Sequence, residues 1–368
     1  MEKITTVGLD LAKQVMAVYA VGADGQMVMR KVLRRDQLLR WSATLPRCVV
    51  AMEACGGAHY WARELTRQGH AVRIIAAEFV QAFRKSGKND ANDAEAICTA
   101  VRQANMRFVA VKSVEQQAAL CVHRLRQGLV EERTALINRL RGLLTEFGVV
   151  APLSPQKLRR ELARCQDPED RRLPPTVGQL VGDQLVALDQ LEQRLAAYAE
   201  QIAAQAAQSD VAQRLQTIVG VGPTTAAAIV ATVGQPQEFR NGRQFAAWLG
   251  LVPKQHSSGG KTRLGRITKR GDAYLRTLLI LGAKSALQAA LRKAPEARHR
   301  LQRWIVAVCS RIGYHKALVA IANKHARIIW ALLVRGEAFV PEGGMCDDAQ
   351  TSLGKRDTVS DWSNLEVP

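Results

Sequence analysis

Four carboxylates stand at places where a sheet and a helix could gather them. Asp10 closes the apolar run Val7-Gly8-Leu9-Asp10, and Glu53 closes Val50-Ala51-Met52-Glu53. Asp90 and Asp93, in Lys88-Asn89-Asp90-Ala91-Asn92-Asp93-Ala94, are three apart and share one face at the start of a helix. Clustered carboxylates repel, and a hard divalent cation relieves the repulsion. Two such ions on a phosphate stabilise both the attacking and the leaving oxygen of a phosphoryl transfer. We therefore expect Asp10, Glu53, Asp90 and Asp93 to form a site for hard divalent cations, with room for two. Taken singly, each has a plainer reading as a turn or cap residue, Asp90 above all as the N-cap of its helix.

A second constellation lies between Trp248 and Arg276. Seven basic residues fall between 254 and 276 (254, 261, 263, 266, 269, 270 and 276) against one acid, Asp272. Inside that run Ser257-Ser258-Gly259-Gly260 is a small, flexible, exposed peptide. A serine beside cations and a metal can attack phosphorus, with positive charge stabilising its alkoxide. Composition alone favours a disordered basic loop, and His256, which could be a general base, reads more simply as exposed. The remaining histidines have no metal-ligand spacing. Upstream, Ile218-Val219-Gly220-Val221-Gly222-Pro223-Thr224-Thr225 has the form of a helix-hairpin-helix or of a plain helix–helix turn. In the first case Gly220, Gly222 and Thr224 offer backbone N–H groups to a phosphate. Lys254, Lys261, Arg263, Arg266, Lys269 and Arg270 are the candidate nucleic-acid contacts beside them.

Charge supports a polyanionic partner. The 368 residues carry a net charge of +19. Residues 211–340 hold 21 basic and 4 acidic residues, a net +17, and residues 111–210 hold 13 of each. Such a block repels itself unless phosphates neutralise it. The apolar share of 47% excludes a wholly disordered chain. No apolar run approaches the roughly 18–20 residues of a membrane span. The N-terminus lacks a signal-peptide stretch, and seven unpatterned cysteines point to free thiols in a reducing, cytoplasmic compartment.

The elements that must position these residues read as follows. Residues 1–110 give strands at Ile4–Asp10, Val15–Val21, Gln26–Val32, Cys48–Glu53 and Ala71–Ala76, with helices at Asp36–Leu45, Ala58–Gln68 and Asp90–Ala104. The order βββαβαβα matches a ribonuclease H-like α/β layout, in which the first and fourth strands are neighbours. Residues 111–210 carry heptad-like seams: Val114, Ala118, Cys121, Leu125, Leu129, Leu136, Leu140 and Phe147, then Leu188, Leu191, Leu195, Tyr198 and Ile202. Between them a proline-rich stretch predicts an irregular connection, so the two long helices form either a hairpin or a coiled-coil oligomer arm. Residues 211–340 read as a mainly helical basic domain, and 341–368 as an acidic mobile tail.

Together these motifs resemble the insertion-sequence one-ten family of transposases, and the run LGLVPKQHSSGGKTRLGRITKRGDAYLR resembles its eleven-eleven branch. The likeness covers about residues 4–335 and is most specific at Val7–Asp10, Gly87–Ala94 and Leu249–Arg276. It implies an N-terminal RuvC-like domain whose Asp10, Glu53, Asp90 and Asp93 hold magnesium. It also implies a C-terminal domain whose serine before glycine, Ser258, attacks DNA to give a covalent phosphoserine; the doubled Ser257-Ser258 leaves that assignment open by one residue. It further implies a prokaryotic, nucleoid-associated homo-oligomer, dimer or tetramer, in which the acidic site of one subunit is completed by the serine domain of another. A structured bridge RNA would specify donor and target DNA. Two other classes compete on the residues alone: a RuvC-like junction endonuclease using water, and a non-enzymatic nucleic-acid scaffold.

Overall fold

The computed structural model describes residues 4–341 apart from 86, 88, 152, 168 and 171. The acidic tail expected beyond residue 341 and the breakers Pro152 and Pro168 lie outside the described residues. The chain divides into two compact units. One runs to Ile202 and includes Ala228–Gln235; the other comprises Ala203–Ala227 and the chain from Pro236.

The first unit is built on a six-stranded mixed sheet. Its strands are β1 (Thr6–Leu11), β2 (Val15–Val21), β3 (Met27–Arg34), β4 (Val49–Glu53), β5 (Ala71–Ile75) and β6 (Phe108–Val109), in the order β3-β2-β1-β4-β5-β6. The meander β1–β3 is antiparallel, whereas β4 pairs parallel with both β1 and β5. The first and fourth strands are thus neighbours, as the sequence implies. Helices α1 (Leu38–Ser42), α2 (Ala58–Arg67), α3 (Ala77–Gln81) and α4 (Asp90–Val101) cover the sheet. Strand alternation sends Val7, Leu9, Val50 and Met52 into one core with Trp61, Ala62 and Leu65 of α2. The opposite face places Ala51 and Ile75 against Ala96, Ile97 and Ala100 of α4. The short α3 and the edge strand β6 were not legible in the sequence, because each is too brief to show a period.

Two long helices follow, α5 (Val114–Thr145) and α7 (Pro175–Ala207). The connection between them is not wholly irregular: it contains α6 (Pro155–Arg164), with Ser154 as N-cap and proline in the first turn. Leu136, Leu140 and Leu144 of α5 close a core with Leu158 and Leu162 of α6 and with Val181 and Leu188 of α7. Arg159 of α6 also pairs with Asp189 at 2.5 Å and Glu192 at 2.9 Å on α7. The tip is therefore a hairpin within the chain. The seam is only partly buried: Leu129, Leu136 and Leu140 are buried, but Val114, Cys121, Leu125 and Phe147 are exposed.

In the second unit α8 (Asp210–Gln216) leads through a glycine turn to α9 (Pro223–Thr232), which runs on into the first unit. Next come α10 (Gly242–Trp248), the two-stranded β7 (Pro253–Gln255) and β8 (Leu264–Ile267), then α11 (Ala273–Arg292), α12 (Arg300–Ile312) and α13 (Tyr314–Arg335). Contrary to the sequence expectation, α13 is long and apolar enough to cross a membrane by length and composition. Its buried residues include Leu318, Ile321, Ala322, His325, Ile329 and Leu332, and it packs on α10, α11 and α12. It is the core helix of this unit.

Candidate active site

Gly8 sets the geometry of the carboxylates. A Cβ on Gly8 would lie 2.3 Å from the Ala94 carbonyl oxygen and 2.7 Å from the Cys98 backbone nitrogen. Only a glycine lets α4 lie directly on β1 there, opposite the small residues Ala94 and Cys98. Alternation puts Asp10 on the same face as Gly8, and Glu53 on the same face as Ala51. The β1–β4 pairing runs out to Leu9↔Met52, so Asp10 and Glu53 are the next residues on two adjacent parallel strands. Asp90 and Asp93 lie in the first turn of α4, whose partial positive charge favours carboxylates. Asp90 is not the cap: Asn89 Oδ1 accepts the Asn92 N–H at 2.8 Å, leaving the Asp90 carboxylate for other work.

The four groups sense one another. Burial, and then the charges of Asp90, Asp93 and Glu53, raise the Asp10 carboxyl to about 6. Four carboxylates are the donor set that a hard divalent cation takes, so their chemistry fits Mg2+. Their geometry is looser than the sequence implies. Among the described residues no three acidic, histidine or cysteine side chains close on one ion. Like charges spread apart, and Arg84 Nε sits 3.3 Å from Asp93 Oδ1, satisfying one of them from within the protein.

The serine peptide is a β-hairpin and not an irregular loop. Ser258 and Lys261 form a bridge closed by Lys261 N–H donating to Ser258 O at 3.0 Å. Gly259 (φ 55°) and Gly260 (φ 76°) both adopt positive φ, as a two-residue type I′ turn requires. The two serines differ. Both are exposed, but Ser257 Oγ accepts from Gln255 Nε2 at 3.0 Å and from the Arg263 backbone N–H at 3.1 Å, whereas Ser258 flanks the turn. Lys254, Lys261, Arg263, Arg266, Lys269 and Arg270 are all exposed along this ribbon.

The base of the hairpin is fastened by residues that sequence reasoning did not single out. Arg276 Nη1 donates to Leu249 O at 3.1 Å and Arg270 O at 3.0 Å. Lys269 holds a positive φ of 55° while its N–H donates to Gly250 O. A Cβ on Gly250 would fall 2.2 Å from Arg270 O. In the basic run Arg276 counted only as charge; its fixing role is visible only once the chain has folded back.

The glycine turn joins α8 to α9 much as expected, but Gly220 has a packing role. A Cβ on Gly220 (φ 95°) would lie 2.3 Å from the Gly282 carbonyl oxygen on α11. Gly222 has open space around its Cα, and Thr224 is half-buried.

A family model described as the transposase IS116/IS110/IS902 family matches residues 212–302, and a transposase model of the IS110 DEDD type matches residues 7–149. The chain belongs to the IS110/IS116/IS902 family of transposases. A probable family 20 transposase of Pseudomonas aeruginosa is 47% identical over 92% of this chain and 99% of its own length. The transposase for insertion sequence element IS1111A of Coxiella burnetii is 39% identical, covering 92% of each. The transposase for insertion sequence element IS1328 of Yersinia enterocolitica is 37% identical over 92% of this chain and 99% of its own length. The IS110-type transposase described here is therefore an insertion-sequence enzyme that cuts and rejoins DNA, and both of its constellations fall inside the matched segments.

Proposed function

We propose that this transposase is an RNA-guided recombinase in which Ser258 is the nucleophile and Asp10, Glu53, Asp90 and Asp93 hold Mg2+. The observation that carries the reading is the contrast between two exposed serines: Ser257 Oγ is hydrogen-bonded within the hairpin, while Ser258 flanks the turn among cations. When bound, the metal supplies Lewis-acid stabilisation of charge on phosphate oxygens. Ser258 Oγ attacks phosphorus, and the new Oγ–P bond replaces one ester bond of the DNA. Lys254, Lys261, Arg263, Arg266, Lys269 and Arg270 hold the backbone, and the α8–α9 turn at Gly222 and Thr224 grips it nearby as a helix-hairpin-helix. The resemblance adds a structured guide RNA, donor and target DNA, and a dimer or tetramer paired through the long helices, acting in the bacterial cytoplasm.

The test is covalent trapping on element-junction DNA. Ser258→Ala abolishes both cleavage and the protein–DNA adduct while preserving binding; Ser257→Ala keeps substantial activity. Mixing Ser258→Ala with Asp10→Ala protein restores partial activity if subunits share sites. Full activity of Ser258→Ala transfers the assignment to a water-using nuclease. Adduct formation by protein freed of any RNA from the element's non-coding end removes the guide from the reading.

A further inference from the structure

The hairpin register sorts its side chains. Gln255 pairs with Leu264, and Ser258 with Lys261, while His256 N–H donates to Arg263 O at 2.9 Å. These pairs belong to one continuous register, and alternate residues point to opposite faces. One face therefore carries His256, Ser258, Lys261 and Arg263, while Lys254 lies where the register shifts between Pro253 and Gln255. The other carries Gln255, Ser257, Thr262 and Leu264, none of them charged. The hydrogen bond from Gln255 Nε2 to Ser257 Oγ independently places those two side chains together.

We infer that His256 is the proton acceptor for Ser258. The inference rests on the Ser258 reading and adds to it the base that reading lacks. A serine hydroxyl is a weak nucleophile at neutral pH and needs its proton removed as it attacks. His256 precedes Ser258 by two residues on the same strand face, about 7 Å along the chain. An imidazole covers much of that spacing, so rotation of the two side chains would bring a ring nitrogen toward Oγ. Ser258 faces Lys261 and His256 faces Arg263 at the roughly 4.5–5.5 Å separation of cross-strand pairs. Those two cations flank the position of a scissile phosphate and draw its non-bridging oxygens. The groups that share its face are thus Ser258, Lys261 and Arg263, with no carboxylate among them.

The step balances within the site and water. The Ser258 Oγ–H proton passes to the imidazole as the Oγ–P bond forms and the P–O bond to the departing strand breaks. The departing oxygen takes a proton from water, and the imidazolium later returns its own to water. Nothing is oxidised or reduced. Histidine suits the task because it changes charge nearest to neutral pH.

The experiment measures the rate of covalent adduct formation against pH. It uses full-length protein purified from cells carrying the whole element, with DNA spanning the element junction. Wild type gives a rate that rises with pH through one inflection. His256→Ala lowers the rate by about 10²–10⁴-fold, the usual contribution of a general base, and loses the inflection. Added imidazole restores part of it, while junction-DNA affinity stays unchanged. His256→Gln behaves alike and guards against a packing defect, and Thr262→Ala on the opposite face keeps the wild-type profile. Wild-type rate or an intact inflection in His256→Ala overturns the assignment while leaving Ser258 in place if Ser258→Ala forms no adduct. An adduct in Ser258→Ala removes the nucleophile, and the inference with it.

Discussion

Arg84 Nε lies 3.3 Å from Asp93 Oδ1, and both side chains are about four-fifths buried, at 21% and 17% exposure. A fixed cation thus neutralises one of four mutually repelling carboxylates. Arg84 competes with a divalent ion for Asp93. Arg84→Gln should therefore bind Mn2+ several-fold more tightly than wild type, as read by Mn2+ electron paramagnetic resonance titration. Weaker binding would show instead that Arg84 aims Asp93 into the site.

Asp10 gives a test in the metal-free protein. Its carboxyl is raised to about 6, mainly by burial and then by Asp90, Asp93 and Glu53. A raised carboxylate stabilises the fold while protonated and loses that stabilisation as pH rises through about 6. Asp10→Asn should therefore be more stable than wild type at pH 7–8 in a chelator, by about 1 kcal/mol once solvent screening is allowed for. The difference should vanish near pH 4. Mg2+ should stabilise wild type and not the variant, and thermal melts with and without Mg2+ decide the matter. Strand cleavage should be lost in Asp10→Ala and Asp93→Asn, with DNA binding kept within a few-fold.

His325 is fully buried on α13, and neither ring nitrogen has a hydrogen-bond partner. Burial lowers it to about 4, so it stays neutral in the folded state while the unfolded state takes up a proton below about 6.5. Stability should fall as pH drops through that window, by about 1.4 kcal/mol per unit for this group. His325→Met should flatten the urea-midpoint profile between pH 6.5 and 4. A residual slope will remain, because His59 and His123 are also lowered to about 4 by burial.

Leu158 is fully buried at the centre of the hairpin tip. Leu158→Ala should cost about 2–5 kcal/mol in that core. Limited proteolysis should then cut within residues 150–175 while the 211–340 segment stays protected. Unchanged protease resistance would mean that α6 does not hold the tip.

The +17 segment predicts a steep salt response. With roughly 6–10 phosphates neutralised, affinity for DNA should fall about 10³–10⁵-fold between 50 and 200 mM salt. Filter binding across that range measures the slope, and a flat response would assign the charge to another purpose.

Local pattern was enough to read the strands of the meander, the two long helices and the basic segment, because alternation, heptads and charge repeat within a few residues; the adjacency of β1 and β4 came only from matching the element order to a ribonuclease H-like layout. The same pattern marked Asp10 and Glu53 as strand ends and Asp90 and Asp93 as one helix face. Everything that depended on which surfaces meet was decided by the tertiary structure. Gly8 is an ordinary strand glycine until α4 lies on it; Arg84 is one basic residue among many until it reaches Asp93. Ser257 and Ser258 are interchangeable in a flexible peptide. A turn closed at Gly259-Gly260 fixes the register, and a register one residue away would exchange their faces. Hydrogen bonding then ties Ser257 to Gln255 and the Arg263 backbone and leaves Ser258 on the face with His256 and the cations. Spacing along a chain fixes which residues share an element, but only packing and pairing fix what each face of that element meets.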